Sequence, residues 1–440
     1  MRIATKTSFA AMLAAVVMPS AAVAQLGSPN PLPGPQGTVA IVNARIVPVS
    51  GAVIERGTLV MSGGKITAIG ANVAVPAGAT TIDGAGKSVY PGMMDAATQM
   101  GLTEISQGAA PTVDNSEVGS FNPNAIAYYA MNPHSAHVGV TRVAGVTHVL
   151  SHPSGGVISG QGTLANLAGW TPAAMTIRQR AALVITIPRA GGGGFGFAQF
   201  GGGGGANAAN AQRTREAQVD SLREMLADAR AYDAAMKANA ATANVRLAAL
   251  IPYVRGELPV MFVADAAADI RTAVEFATAE GLKAIIVGGR EALRVADLLK
   301  EANVPVIYTQ LRAMPGREDD PFDVNFATPG QLAAAGVRFA MSTGDEGPQT
   351  RDLPSMAGMA AAYGLSREDA LRSVTIWPAE IMGIGAQLGS LEVGKMANVV
   401  VTDGDLLEAR TAVTHLFIDG RPVPLDSRHT VLFETHKNRR

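Results

Sequence analysis

The chain has 440 residues, 48% of them hydrophobic and only 16% charged, which marks a large folded protein and argues against disorder. Lys plus Arg is 35 against 36 Asp plus Glu, a net charge of −1, so there is no basic field to hold nucleic acid. The absence of cysteine excludes disulfides, thiolate-held zinc, iron–sulfur clusters and a thiol nucleophile. Any metal must rest on the 7 His and the carboxylates.

Residues 1–24 read as an export signal. Arg2 and Lys6 form a positive start, Phe9 to Val17 an apolar run, and Ala22-Val23-Ala24 before Gln25 a small-x-small cleavage point. Pro19 and Ser20 interrupt the run and leave it too short for a bilayer anchor. No later stretch reaches about 18 uninterrupted apolar residues, so the expectation is an exported chain, periplasmic or secreted, that does not span a membrane. Residues 25–37, rich in Pro and Gly, read as a flexible lead-in.

From Thr38 the period is that of strands. Val39 to Val42 and Arg45 to Val47 are short and β-branched, and Leu59-Val60-Met61 and Ile66 to Ile69 flank Gly63-Gly64, a hairpin turn of the primed type. The C-terminal part shows the same pattern, with Ala397 to Thr402 strand-like and Leu416-Phe417-Ile418 meeting Asp419-Gly420. Between these ends, apolar strand candidates (Val260 to Ala264, Ala284 to Val287, Val304 to Tyr308, Arg338 to Met341) alternate with helical stretches at Asp269 to Glu280 and Ala292 to Glu301. That alternation is the βα repeat of a parallel sheet or barrel. Ser366 to Asp369 has the form of a capped helix start, and Val219, Leu222, Leu226 and Ala229 mark a long amphipathic helix. Gly191 to Gly205 holds ten Gly around Phe195, Phe197 and Phe200; it lacks the Lys-Ser or Lys-Thr of a phosphate cradle and reads as a flexible insertion or a lid.

Val89-Tyr90-Pro91-Gly92-Met93-Met94-Asp95-Ala96 resembles the first barrel strand of the amidohydrolase superfamily, in its cyclic-amidohydrolase and imidazolonepropionase-like branch. Gly63-Gly64-Lys65-Ile66 resembles the hairpin of its small sheet, Thr375 to Gly383 a late helix, Gly389 to Val401 the return into the small sheet, and Phe417 to Arg421 the last hairpin. The resemblance covers most of Thr38 to Leu425. It implies an α/β fold with a (β/α)8 TIM-like barrel over 89–387, interrupted by the Gly-rich insertion 191–205, beside a composite β-sandwich built from 38–88 and 388–435. It also implies a metal-dependent hydrolase of C–N bonds, other than peptide bonds, in amides or cyclic amides.

The family's zinc ligands are where the sequence departs from it. The strand-one Asp of the family is followed by His-x-His, and those positions hold Ala97 and Gln99. The strand-five ligand falls at Val263 to Asp265, the strand-six His near Gly288, and the strand-eight Asp, which handles the metal-bound water, at Gly344 or Asp345. A catalytic zinc site needs about three protein ligands and an open position. Gln99 is a weak neutral donor, and Asp265 and Asp345 supply at most two carboxylates, so the expectation is no bound metal or other cofactor. Elsewhere, His148 and His152 lie on a strand-like run, where four residues span roughly 13 Å, too far to share an ion. No Gly-x-Ser-x-Gly elbow is present. Asp319-Asp320 reads as solvated surface.

Asp345 and Asp265 are therefore the acid–base candidates, with Gln99, Glu104 and His152 as ligand-contacting candidates. Two readings follow. In the favoured one the chain is a degenerate amidohydrolase that binds a small polar or cationic ligand, or partners an intact paralogue as a homo- or hetero-oligomer. In the alternative it is an active periplasmic C–N hydrolase with a displaced metal site or metal-free Asp chemistry. The export expectation is checked by intact mass on periplasmic material: a mature chain beginning at Gln25 is the expected result, and a chain beginning at Met1 contradicts it.

Overall fold

A computed structural model describes residues 30, 32–105, 110–187, 206–240, 242–344 and 347–439, with the side chains of 110, 206–212 and 215 left aside. Residues 1–24, expected to be an export signal, residues 25–29 and 31 of the lead-in, the Gly-rich insertion and Asp345 lie outside the described residues.

Among the described residues, sixteen strands form two sheets of eight. The first collects β1 (Val39–Ile46), β2 (Ile54–Ser62), β3 (Lys65–Gly70), β4 (Thr80–Asp83) and β5 (Ser88–Pro91) from one end of the chain. The barrel strands are β6 (Met93–Thr98), β7 (Val146–Ser151), β8 (Ile158–Asn166), β9 (Thr176–Thr186), β10 (Val260–Ala264), β11 (Ala284–Gly288), β12 (Val306–Tyr308) and β13 (Phe339–Met341). The last three, β14 (Val399–Thr402), β15 (Val413–Ile418) and β16 (Arg421–Pro422), return to the first sheet.

The two chain ends meet where β14 runs antiparallel to β5, Val399 opposite Pro91 and Thr402 opposite Ser88. Gly63 and Gly64 have φ of 58° and 80°, and Asp419 and Gly420 53° and 67°, the left-handed pair that a two-residue primed hairpin requires. All eight strands belong to one hydrogen-bonded sheet of order β16-β15-β14-β5-β1-β2-β3, with β4 also on β1.

The second sheet runs β13 through β6 in unbroken sequence order and curls into a barrel. The strict (β/α)8 expectation needs correction in one place. β8 pairs antiparallel with both β7 and β9, while the remaining neighbours pair in parallel. A parallel return needs a crossover of a dozen or more residues. Only residues 152–157 separate β7 from β8, and Gly155 and Gly156, with φ of 84° and 68°, turn the chain straight back. The helices elsewhere follow the sequence pattern closely: Ala267–Ala279 and Ala296–Glu301 cover the barrel, and Ser366 Oγ accepts from Asp369 N at 3.0 Å to start Arg367–Arg372. The long helix Ala206–Lys237 buries Leu222, Leu226 and Ala229 against the same core. No described helix is long and apolar enough to cross a membrane.

Inside the barrel the packing is apolar: Met94, Leu150, Leu164, Val184, Met261 and Ile307 meet, and Met382, Ile384 and Leu388 close the floor. His148 brings a polar group into this interior. Met93 faces Val146 but Met94 faces His148, so Thr147 is an extra residue in β7 and the bulge turns the imidazole next to Met94.

The seam between β13 and β6 is not a ladder. The carbonyls of Ser373 and Val374 accept from Met341 N, at the end of β13, at 2.9 Å and from Met94 N, near the start of β6, at 2.8 Å. Near the strand ends, Ser342 Oγ accepts from Ala97 N at 3.0 Å and donates to the Asp95 carboxylate. A fully buried carboxylate left short of a donor costs about 1–3 kcal/mol or more. Ser342→Ala is accordingly expected to lower unfolding free energy by ~2–3 kcal/mol with an unchanged denaturant slope. A loss under about 0.5 kcal/mol would show that the seam does not depend on this hydroxyl.

Candidate functional site

The C-terminal ends of the parallel barrel strands are where a barrel of this kind carries chemistry. Asp95 lies there, in a run of buried residues from Met93 to Thr98. Its side chain is fully buried and takes four donors: Ser342 Oγ, Thr343 Oγ1, Thr343 N at 3.3 Å and Ala97 N at 3.3 Å. Burial raises its pKa to about 6, and those hydrogen bonds hold it from going higher. It is a carboxyl able to change charge near neutrality, but it faces protein on every side.

The sequence-based candidates spread around this centre. Gln99 follows β6 and its Oε1 accepts from Asn115 Nδ2 at 2.7 Å. His152 follows β7, beside β6, its backbone N bonded to Thr98 O at 2.9 Å. Its Nδ1 lies 2.9 Å from Pro153 O, and burial lowers its pKa. Glu104 accepts from Ala136 N at 3.3 Å and Asn132 Nδ2 at 3.3 Å, with His137 Nε2 at 3.9 Å, so it sits over the N-terminus of the helix Ala136–Arg142. Asp265 follows β10, four strands round the barrel from β6. The structure thus brings Gln99 and His152 to adjacent strand ends and sets Asp265 across from them.

At three of the positions that the family resemblance assigns to metal ligands, the local chemistry leaves no donor. Ala97 and Val263 pack with the apolar barrel interior. Gly288 ends β11 at φ 107°, and a Cβ there would fall 2.5 Å from Asp265 Oδ1 and 2.9 Å from Ala264 O. Any side chain at 288, an imidazole included, would have to displace that carboxylate. Among the described residues no group of three His, Asp or Glu side chains is placed to hold a metal ion. The described residues at these positions do not fit a zinc centre.

Two features escape a reading of the sequence alone. Asp95 is visible there as a lone carboxylate in an apolar strand, a pattern that demands a buried partner, yet nothing local points to Ser342 and Thr343 from the far side of the seam. His148 is buried with Nδ1 2.8 Å from Thr147 Oγ1, its Nε2 has no hydrogen-bond partner among the described residues, and burial lowers its pKa to about 3. Asp320 is not plain solvated surface: it accepts from Arg294 Nη2 at 3.2 Å and Arg317 N at 3.0 Å.

Comparison with known proteins agrees with this architecture. The model of the amidohydrolase family matches residues 209–423. The crystal structure of an amidohydrolase from Thermotoga maritima MSB8 superposes with a TM-score of 0.77 at 24% identity, over 88% of this chain and 99% of that one. A putative prolidase from Bifidobacterium longum gives 0.54 at 18%, over 91% and 100%. Molinate hydrolase gives 0.55 at 16%, over 90% and 96%. Among curated proteins, amidohydrolase tasK of Hapsidospora irregularis is 40% identical over 72 residues, 15% of this chain and 7% of that protein's own length.

The Asp95 carboxyl carries a pH signature. Folded, it keeps its proton up to about 6; unfolded, only to about 3.8. Its contribution to stability is therefore fully present below about 4 and is lost as pH rises through about 6, by ~3 kcal/mol in all. Asp95→Asn imitates the neutral form, so between pH 4 and 7 wild type should lose ~3 kcal/mol relative to the variant in denaturant melts. A difference that stays flat across that range would contradict a raised pKa.

Proposed function

We propose that this chain, similar to the amidohydrolase family over residues 209–423, is a hydrolase-fold protein that has given up the family's metal chemistry and acts by binding, either of a small polar ligand at the barrel mouth or of an intact paralogue outside the cytoplasm. The observation that carries the reading is the commitment of the strand-one carboxylate. Asp95 is taken by Ser342 and Thr343, and the neighbouring positions that would aim imidazoles at an ion are Ala97, Val263 and Gly288. A hydrolytic zinc would need about three ligands and an open coordination position facing substrate. No step through a metal can be derived from these side chains.

What the mouth retains is polar and weakly charged: Gln99, His152 and Asp265, with Asp345 placed by sequence on the loop after β13. A carboxylate in a partly desolvated pocket is stabilised by a hydrogen-bond donor or a cation, which favours a polar or cationic ligand. The reading extends from the export signal to a periplasmic or secreted location. A binding role needs no turnover, so loss of the metal ligands leaves it intact.

The alternative, metal-free acid–base hydrolysis by Asp265 and Asp345, has its own outcome in the same test. Purified protein is expected to hold well under one zinc per chain by elemental analysis and to hydrolyse no amide or cyclic amide above background, with or without added zinc, manganese or cobalt. About one tightly held metal per chain with turnover would overturn the proposal. Metal-independent turnover abolished by Asp345→Ala would replace it with the alternative.

A further inference from the structure

The end of the barrel opposite the mouth carries a cavity of about 680 Å³. It is ringed by the starts of five consecutive strands, β9 to β13, and by the chain at 381–383. Nothing in the proposed function uses this end.

Three cations stand on its rim: Arg178 in β9, Lys283 before β11 and Arg338 before β13. Their bonds go to neutral groups. Arg178 donates to the carbonyls of Met382 and Gly383, each at 3.3 Å, and Arg338 Nη1 donates to Asn303 Oδ1 at 3.3 Å. None of the three is ion-paired with a carboxylate among the described residues, in contrast to Arg255 on Asp233, Arg317 on Glu291 and Arg367 on Asp405. Among the described residues the one carboxylate lining the cavity, Glu257, is taken by Arg255 Nη1 at 3.4 Å. The rim therefore has a surplus of positive charge and unused N–H donors, since a guanidinium has five.

The floor is apolar. Leu282, Val304, Pro305 and Met382 line it, and Met382 belongs to the cluster that plugs the barrel. An inorganic anion would satisfy the rim and leave this floor wet; a neutral apolar molecule would cover the floor and leave the charge unmet. A molecule with an apolar body and an anionic head satisfies both.

We propose that this basal cavity binds a small amphiphilic carboxylate, its apolar body on the Leu282–Val304–Met382 floor and its carboxylate among Lys283, Arg338 and Arg178. Recognition is by shape and charge, with no bond made or broken. The site is independent of the barrel mouth, so its test does not share an outcome with the reading of that mouth.

The experiment is isothermal titration calorimetry of the full chain with octanoate, and with acetate, inorganic phosphate and 1-octanol as comparisons, on wild type, Lys283→Gln, Arg338→Gln and the double variant. Lys283 and Arg338 are exposed, so the substitutions leave the core untouched, and unchanged thermal melts would establish this. Octanoate should bind wild type, at least about tenfold more tightly than acetate because burying a methylene is worth about 0.8 kcal/mol. Each single variant should weaken it by about twofold to fivefold and the double variant by more. Absence of octanoate binding, equal binding by wild type and the double variant, or phosphate or octanol bound as tightly as octanoate would overturn the proposal.

Discussion

A carboxylate inside a protein is tolerated only where donors meet it, and the Asp95 carboxylate lies at the seam where this barrel is not closed by a strand ladder. Ser342 and Thr343 meet it from β13's end while Ala97 N bonds to both Ser342 and Asp95. The seam is thereby joined by side chains where neighbouring strands elsewhere are joined by backbone. The same arrangement governs the site chemistry: lone pairs that could face an ion face hydroxyls.

The two ends of the barrel differ in how they treat charge. At the mouth, acidic groups are drawn inward and matched by hydroxyls, amides and helix ends, as with Asp95 and with Glu104 over residues 136–142. At the base, cations stand over an apolar floor, and among the described residues Arg178 and Arg338 donate to carbonyl and amide oxygens. Barrel floors ordinarily serve stability, and the packing of Met382, Ile384 and Leu388 does so here. The basal charge is a surplus beyond that role.

Much of the fold was legible because it rests on local signals. Gly63-Gly64 and Asp419-Gly420 announce primed turns through their φ preference, and Val260 to Ala264 forms the strand its apolar run predicts. The inverted strand β8 was not legible, since Ile158 to Asn166, with Ser159, Gly160, Gln161 and Gly162, lacks the continuous apolar run of β10, and its direction is set by the short turn at Gly155-Gly156. The site was less legible still. That Ala97 and Gly288 carry no imidazole could be seen, but the partners of Asp95 are 247 and 248 positions away in sequence, and no pattern in either segment announces the pairing. Glu104 looked like a pocket residue because it follows a barrel strand; its contact with Ala136 N depends on where the next helix begins.

Hydroxyls in a dry seam hold the Asp95 carboxyl, and we propose that this closes it to metal. This is tested most directly by ¹³C NMR of chain labelled at the aspartate carboxyl carbon, with Asp95 assigned by the signal missing in Asp95→Asn. The expected signal titrates near pH 6 and does not move or broaden when excess zinc is added. A signal titrating below about pH 4, or one shifted by a single equivalent of zinc, would contradict it.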